Sequence, residues 1–98
     1  MIPVKQSRHD LYVEELSEHI KPFYDDVFLN VPVRNSKRSL AEVDVLAKQG
    51  DYYDVFEVKC SLRIVKARRQ ASKIRKHLPL KFRNFFLYCG SAKQIVRL

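Results

Sequence analysis

Asp44, Glu57 and Lys59 are the residues whose types and spacing could do chemistry. They sit in two apolar segments, Leu40 to Lys48 and Tyr52 to Cys60, on either side of Gly50-Asp51. A glycine-first pair suits a two-residue type II′ turn, and that turn sets a hairpin register. Gln49 then faces Tyr52, Leu46 faces Val55, Asp44 faces Glu57 and Glu42 faces Lys59. Directly opposed carboxylates, with Cβ atoms about 5 Å apart, repel one another, and a half-buried strand pair normally avoids them. A divalent cation between them removes the conflict. Oxygen ligands of this kind suit Mg²⁺ or Mn²⁺, which bind through one or two carboxylates plus a substrate phosphate. Strand alternation puts Lys59 on the face of Glu57, where its ammonium can hold an attacking water or stabilise charge on a phosphate.

The alternate face, Val43, Val45, Ala47, Phe56, Val58 and Cys60, is wholly apolar, and Leu46 and Val55 interrupt the polar one. Charges set into strands this hydrophobic call for an explanation. The bland alternative is a surface hairpin in which Glu42 and Lys59 form an ordinary cross-strand ion pair.

The elements that must position this hairpin are legible on both sides of it. Asp10 to Lys21 suits a helix capped by Asp10, with Val13, Leu16 and Ile20 as its apolar stripe and Pro22 at its end. Val27 to Val33 reads as a strand. Ile64 to Leu78 suits a second helix, with Ala67, Ala71, Ile74 and Leu78 as its stripe and Pro79 closing it. Asn84 to Cys89 reads as a buried strand and Ile95 to Leu98 as a short edge strand. The order α-β-β-β-α-β predicts one α/β domain over residues 1–98, with a mixed central sheet flanked by helices. The strand after the second helix can run parallel to an earlier one through the helical crossover.

Composition narrows the function classes. The 98 residues carry 19 Lys+Arg against 11 Asp+Glu, a net charge of +8, which favours a polyanionic partner and nucleic acid above all. Hydrophobic residues at 46% exclude a disordered chain, and no apolar run is long enough to span a membrane. The N-terminus has no secretory h-region, which with reduced, core-like Cys60 and Cys89 predicts a cytoplasmic protein. Arg63, Lys66, Arg68, Arg69, Lys73, Arg75 and Lys76 follow Lys59 with no acid among them, so they can flank the cleft and take up DNA phosphates. Arg34, Lys37 and Arg38 can reach the same duplex. His9, His19 and His77 show no ligand spacing and read as surface or helix-end residues. Tyr52 and Tyr53 read as packing residues.

The string Glu42-Val-Asp44-Val-Leu-Ala, followed by Val55-Phe-Glu57-Val-Lys59-Cys-Ser, resembles the PD-(D/E)xK nuclease superfamily. It looks closest to the branch of archaeal Holliday junction resolvases and small bacterial nuclease-like proteins. The resemblance covers nearly the whole chain, because the restriction-endonuclease-like core has the same α-β-β-β-α-β order. It implies a metal-dependent DNA endonuclease that leaves a 5′-phosphate and a 3′-hydroxyl. By this resemblance Asp44, Glu57 and the Val58 carbonyl ligate the metal, Mg²⁺ or Mn²⁺, and Lys59 serves the nucleophilic water. Relatives add a helix-borne glutamate, for which Glu14 and Glu15 are the candidates; either can instead be a solvated helix charge. Glu42 is a candidate second metal contact or a partner of Lys59. Gln70 matches part of a Gln/Tyr motif near the scissile phosphate, with Ile74 in place of the tyrosine, and otherwise reads as a helix-edge amide. Two further readings stay open: a Holliday junction resolvase acting on branched DNA as a homodimer, and a non-catalytic nucleic-acid-binding protein of the same fold.

Overall fold

The computed structural model describes residues 6–98. Ser7 starts helix α1 (Arg8–Ile20), its hydroxyl accepting from the Asp10 amide, so Asp10 lies inside the first turn and is not the cap. Ser is the stronger choice because its side chain satisfies an orphan N–H there while the Asp10 carboxylate favours the positive helix end. Lys21–Phe23 form a 3₁₀ turn over Pro22. Then follow β1 (Asp26–Arg34), β2 (Ser39–Gln49), β3 (Tyr52–Lys59), α2 (Ile64–His77), β4 (Phe82–Cys89) and β5 (Gln94–Arg97). The five strands form one mixed sheet in chain order, with β3 and β4 parallel and every other pair antiparallel. This is the α/β arrangement expected, including the crossover through α2. None of the described helices is long and apolar enough to cross a membrane.

The β2–β3 hairpin has the register that Gly50-Asp51 predicts: Gln49 pairs with Tyr52, Leu46 with Val55 and Val45 with Phe56. Gly50 takes φ +59, as the first position of the turn requires, and its N–H donates to Asp25 Oδ2 at 2.8 Å. One core cluster joins α1 (Val13, Leu16, Ile20) to Val45, Ala47, Phe56, Val58 and Tyr88. The other joins Ile74 of α2 to Val33, Val43, Leu46, Val55 and Phe85.

Val43 therefore departs from the expected face. Strict alternation would set it with Val45 and Ala47 toward α1, yet it packs in the α2 cluster, with Ala41 against it. Strand β1 changes face at the same level, with Val27 packed against the α1 cluster and Val31 and Val33 in that of α2. Between them Asn30 takes φ +53 and makes no ladder pair, opposite Asp44. The sheet thus rotates by one side-chain position at Asp44.

Cys60 lies just past β3 and is exposed rather than near-core, while Cys89 is buried; both are free thiols. Tyr53 packs on the α2 cluster, whereas Tyr52 is 52% exposed.

A second buried charge sits across the sheet. Asp54 is 2% exposed and accepts from Arg83 Nε and Nη2, the Tyr24 hydroxyl and the Asn84 amide. Burial alone would raise its pKa, but the Arg83 and Tyr24 hydrogen bonds outweigh it and hold the carboxyl below its usual range. A depressed folded pKa means stability present at neutral pH and lost as pH falls through that low value. Arg83→Met is expected to lower the midpoint of urea denaturation by a modest amount. That is less than for a fully buried pair, because Arg83 is partly solvated and two other donors still hold Asp54.

Candidate active site

Asp44 lies just beyond the last ladder pair of β2 with β3, Val45 with Phe56. Its carboxylate takes the place of a ladder acceptor: the Val58 amide donates to Asp44 Oδ2 at 2.9 Å. This fixes the side chain between two strands instead of letting it swing into water. Asp44 is 6% exposed and Glu57 5%, so two carboxyl groups are withdrawn from solvent side by side.

Lys59 comes off the end of β3 with its Nζ 3.3 Å from Glu57 Oε1. The other oxygen, Glu57 Oε2, is buried without a hydrogen-bond partner. Burial, then the charge of Asp44, pushes the Glu57 carboxyl from its ordinary 4.5 up to about 8, with Lys59 opposing. The donor set fits a hard divalent ion: two carboxylates and the Val58 carbonyl, all oxygen. Among the described residues no group of three or more His, Cys, Asp or Glu side chains is placed to hold a metal ion. A Mg²⁺-type site does not need one, since such ions keep several waters and take substrate phosphate as a ligand.

The first helix contributes to this site through a residue that sequence reasoning set aside. His9, expected at the surface or a helix end, is in the first turn of α1 but turned inward. Its Nε2 lies 3.0 Å from the Val58 carbonyl oxygen and 3.4 Å from Asp44 Oδ2. The signal was present: His9 precedes Val13 by one helical turn and extends the Val13/Leu16/Ile20 stripe. Glu14 and Glu15 lie off that stripe. Glu14 is exposed and accepts from Gln6 Nε2 at 2.9 Å. Glu15 accepts from Lys93 Nζ and the Tyr88 hydroxyl, on the β4–β5 side of the helix. Neither glutamate contacts Asp44 or Glu57.

Glu42 is exposed and makes no ion pair with Lys59, whose partner is Glu57. Gln70 on α2 is half-buried, and its Nε2 lies 3.4 Å from the Glu42 carbonyl oxygen, so it ties the helix to the strand that carries Asp44. His19 and His77 are exposed.

The basic residues lie on or beside α2 and at the β1–β2 connection. Arg63, Lys66, Arg68, Arg69, Lys73, Arg75 and Lys76 are all exposed along α2, as are Arg34, Lys37 and Arg38 in the β1–β2 connection. Among the described residues none of these ten pairs with an acid. Arg38 and Lys73 line one shallow cleft with Ser39, Leu40 and His77, which joins the two basic sets. Arg68 and Arg75 lie on another flank with Phe85 and Leu98, the Arg75 guanidinium 4.7 Å above the Phe85 ring.

The chain matches no family model and no curated protein.

Proposed function

We propose that the protein is a metal-dependent nuclease of the restriction-endonuclease-like fold that hydrolyses DNA phosphodiester bonds, with Mg²⁺ or Mn²⁺ as its cofactor. The observation that carries this reading is the buried Asp44–Glu57 pair, with one oxygen unpartnered and Lys59 at its edge. A structural pair would be neutralised by a partner cation from the protein, as Asp54 is by Arg83. The Asp44–Glu57 pair has a lysine at the rim, whose side chain is 29% exposed, and the His9 ring 3.4 Å from Asp44 Oδ2.

Asp44, Glu57 and the Val58 carbonyl would hold the cation, which when bound supplies Lewis-acid polarisation of the phosphate and an acidified water. The remaining work falls to this chain's own side chains. Lys59, held against Glu57 Oε1, is placed to donate to the attacking water and to the charge that develops on the phosphate oxygens. The Val58 amide holds Asp44 in one rotamer, so the site is preorganised before substrate arrives. The cations of α2 and of the β1–β2 connection take up flanking phosphates, which fixes the register of a duplex without reading its bases.

The cation itself is directly testable. Mn²⁺ at about a hundredfold excess over its Kd should stabilise the folded protein by about 2.7 kcal/mol and raise Tm on the order of 10 °C. Glu57→Gln should show no such rise. An equal rise in both proteins would show that the ion binds elsewhere.

Phosphate contacts predict a salt signature. DNA affinity should fall linearly on a log–log plot against salt concentration, and each contact removed should lower the slope by about 0.9. Arg69→Glu with Lys73→Glu should weaken binding across all sequences alike and flatten that slope, as read by fluorescence anisotropy. An unchanged slope would remove α2 from the interface.

A further inference from the structure

We propose that Leu62 and Val65, where β3 passes into α2, form an apolar wedge that enters the base stack beside the scissile phosphate. The protein then favours DNA with an unpaired or weakly stacked step there over uniform duplex. This rests on the nuclease reading of Asp44, Glu57 and Lys59 and deepens it. Leu62 is 52% exposed and Val65 64%. A lone exposed apolar residue means little on a protein surface. These two stand within one turn, next to Arg63 and Lys66 and three to six residues past Lys59, and no Asp or Glu follows Glu57 in the chain. Other exposed apolar residues follow acids: Leu11 comes after Asp10, and Phe28 and Leu29 after Asp25 and Asp26. The occupant that fits Leu62 and Val65 must carry negative charge and offer apolar faces. DNA does both, with phosphates for Arg63 and Lys66 and base faces for the wedge.

The fold holds the pair still and turns it outward. The chain after Lys59 is fastened to the end of β4, the Gly90 amide donating to the Lys59 carbonyl at 2.8 Å and the Ser91 amide to that of Cys60 at 3.2 Å. Beyond Leu62, the Ala67 amide donates to the Arg63 carbonyl at 3.0 Å and closes the first turn of α2. Leu62 lies at most about 11 Å along the chain from Lys59, within a few base steps of the phosphate that Lys59 serves. Val65 is two residues from the buried Ala67, about 200° round the helix, and so shares the outer face with Arg69 and Lys76. Side chains that part neighbouring bases do so at least cost where the bases are already unpaired or poorly stacked, and that difference sets the preference.

The test compares a matched duplex with one carrying a short mismatched bubble, the bubble edge marked by 2-aminopurine. Binding of the full chain is followed by anisotropy of a terminal fluorescein in EDTA, and cleavage in Mg²⁺ or Mn²⁺ is run in parallel. Wild type should bind the bubble about tenfold tighter than the duplex, the scale of one stacked base, and raise the 2-aminopurine fluorescence. Leu62→Ser/Val65→Ser should bind the two DNAs within about twofold of each other, with duplex affinity and Tm nearly unchanged because both side chains are exposed. Leu62→Met/Val65→Ile should keep the preference. Equal affinity of wild type for the two DNAs, or a preference and fluorescence rise that survive in the serine variant, would overturn the wedge; cleavage, and with it the nuclease reading, would stand. A bubble preference that serine abolishes, in a protein that cuts no DNA, would uphold the base contact and overturn the nuclease reading.

Discussion

Glu57→Gln should abolish DNA cutting and at the same time make the metal-free protein more stable at alkaline pH. In the unfolded chain Glu57 ionises near 4.5, whereas burial and the neighbouring Asp44 delay that to about 8 in the folded protein. Between those values the folded state keeps a proton that the unfolded state has released. The contribution of Glu57 to folding stability is therefore fully present below 4.5 and is lost as pH rises through the window to about 8. The loss is on the order of a few kcal/mol, a large share of what a domain of this size possesses. Glutamine has the same shape and no charge to release, so chemical denaturation of the variant should show a flat profile where the wild type falls. Loss of a charged metal ligand should meanwhile lower cleavage by at least about 10³-fold. A variant that gains stability as it loses activity is the mark of a group kept for function. An acidic slope that persists in Glu57→Gln would mean that another carboxyl is responsible.

Lys59→Met should lower cleavage on the order of 10²–10³-fold, the usual effect of removing one donor to developing charge, with DNA affinity within about threefold. Single-turnover cleavage beside a binding isotherm separates the two. Its methylene stem is replaced by one of similar length, so the fold loses little. Lys59 is also the group that opposes the upward shift of Glu57, so its removal should move the Glu57 midpoint higher still. Parallel losses of affinity and rate would make Lys59 a phosphate contact and not a participant in the chemistry.

The hairpin was legible because its turn is local: Gly50-Asp51 alone sets the register that leads to Asp44 and Glu57. Helix α2 and the parallel return of β4 were legible for the same reason, since a 3.6 period and a crossover rule need no distant partner. What escaped depends on non-local contacts. The face change at Asp44 is tied to Asn30, in another strand, with positive φ in a residue that tolerates it. Asp54 carried no signal in the sequence, because Tyr24 and Arg83 reach it from 30 and 29 residues away. His9 was lost by starting the helix at Asp10, which left the histidine outside the stripe it continues. The family resemblance pointed instead to Glu14 and Glu15, whose partners are Gln6, Lys93 and Tyr88.

The most direct measurement is cleavage of plasmid, linear duplex and four-way-junction DNA in Mg²⁺, Mn²⁺ or EDTA, with wild type beside Glu57→Gln and Lys59→Met. The account predicts cutting that EDTA stops, that Glu57→Gln abolishes and that Lys59→Met slows at least a hundredfold. Paired nicks placed symmetrically on the junction would identify a resolvase acting as a dimer. No cutting of any DNA, or cutting that proceeds unchanged in EDTA and in both variants, would contradict the assignment of Asp44, Glu57 and Lys59 as an active site.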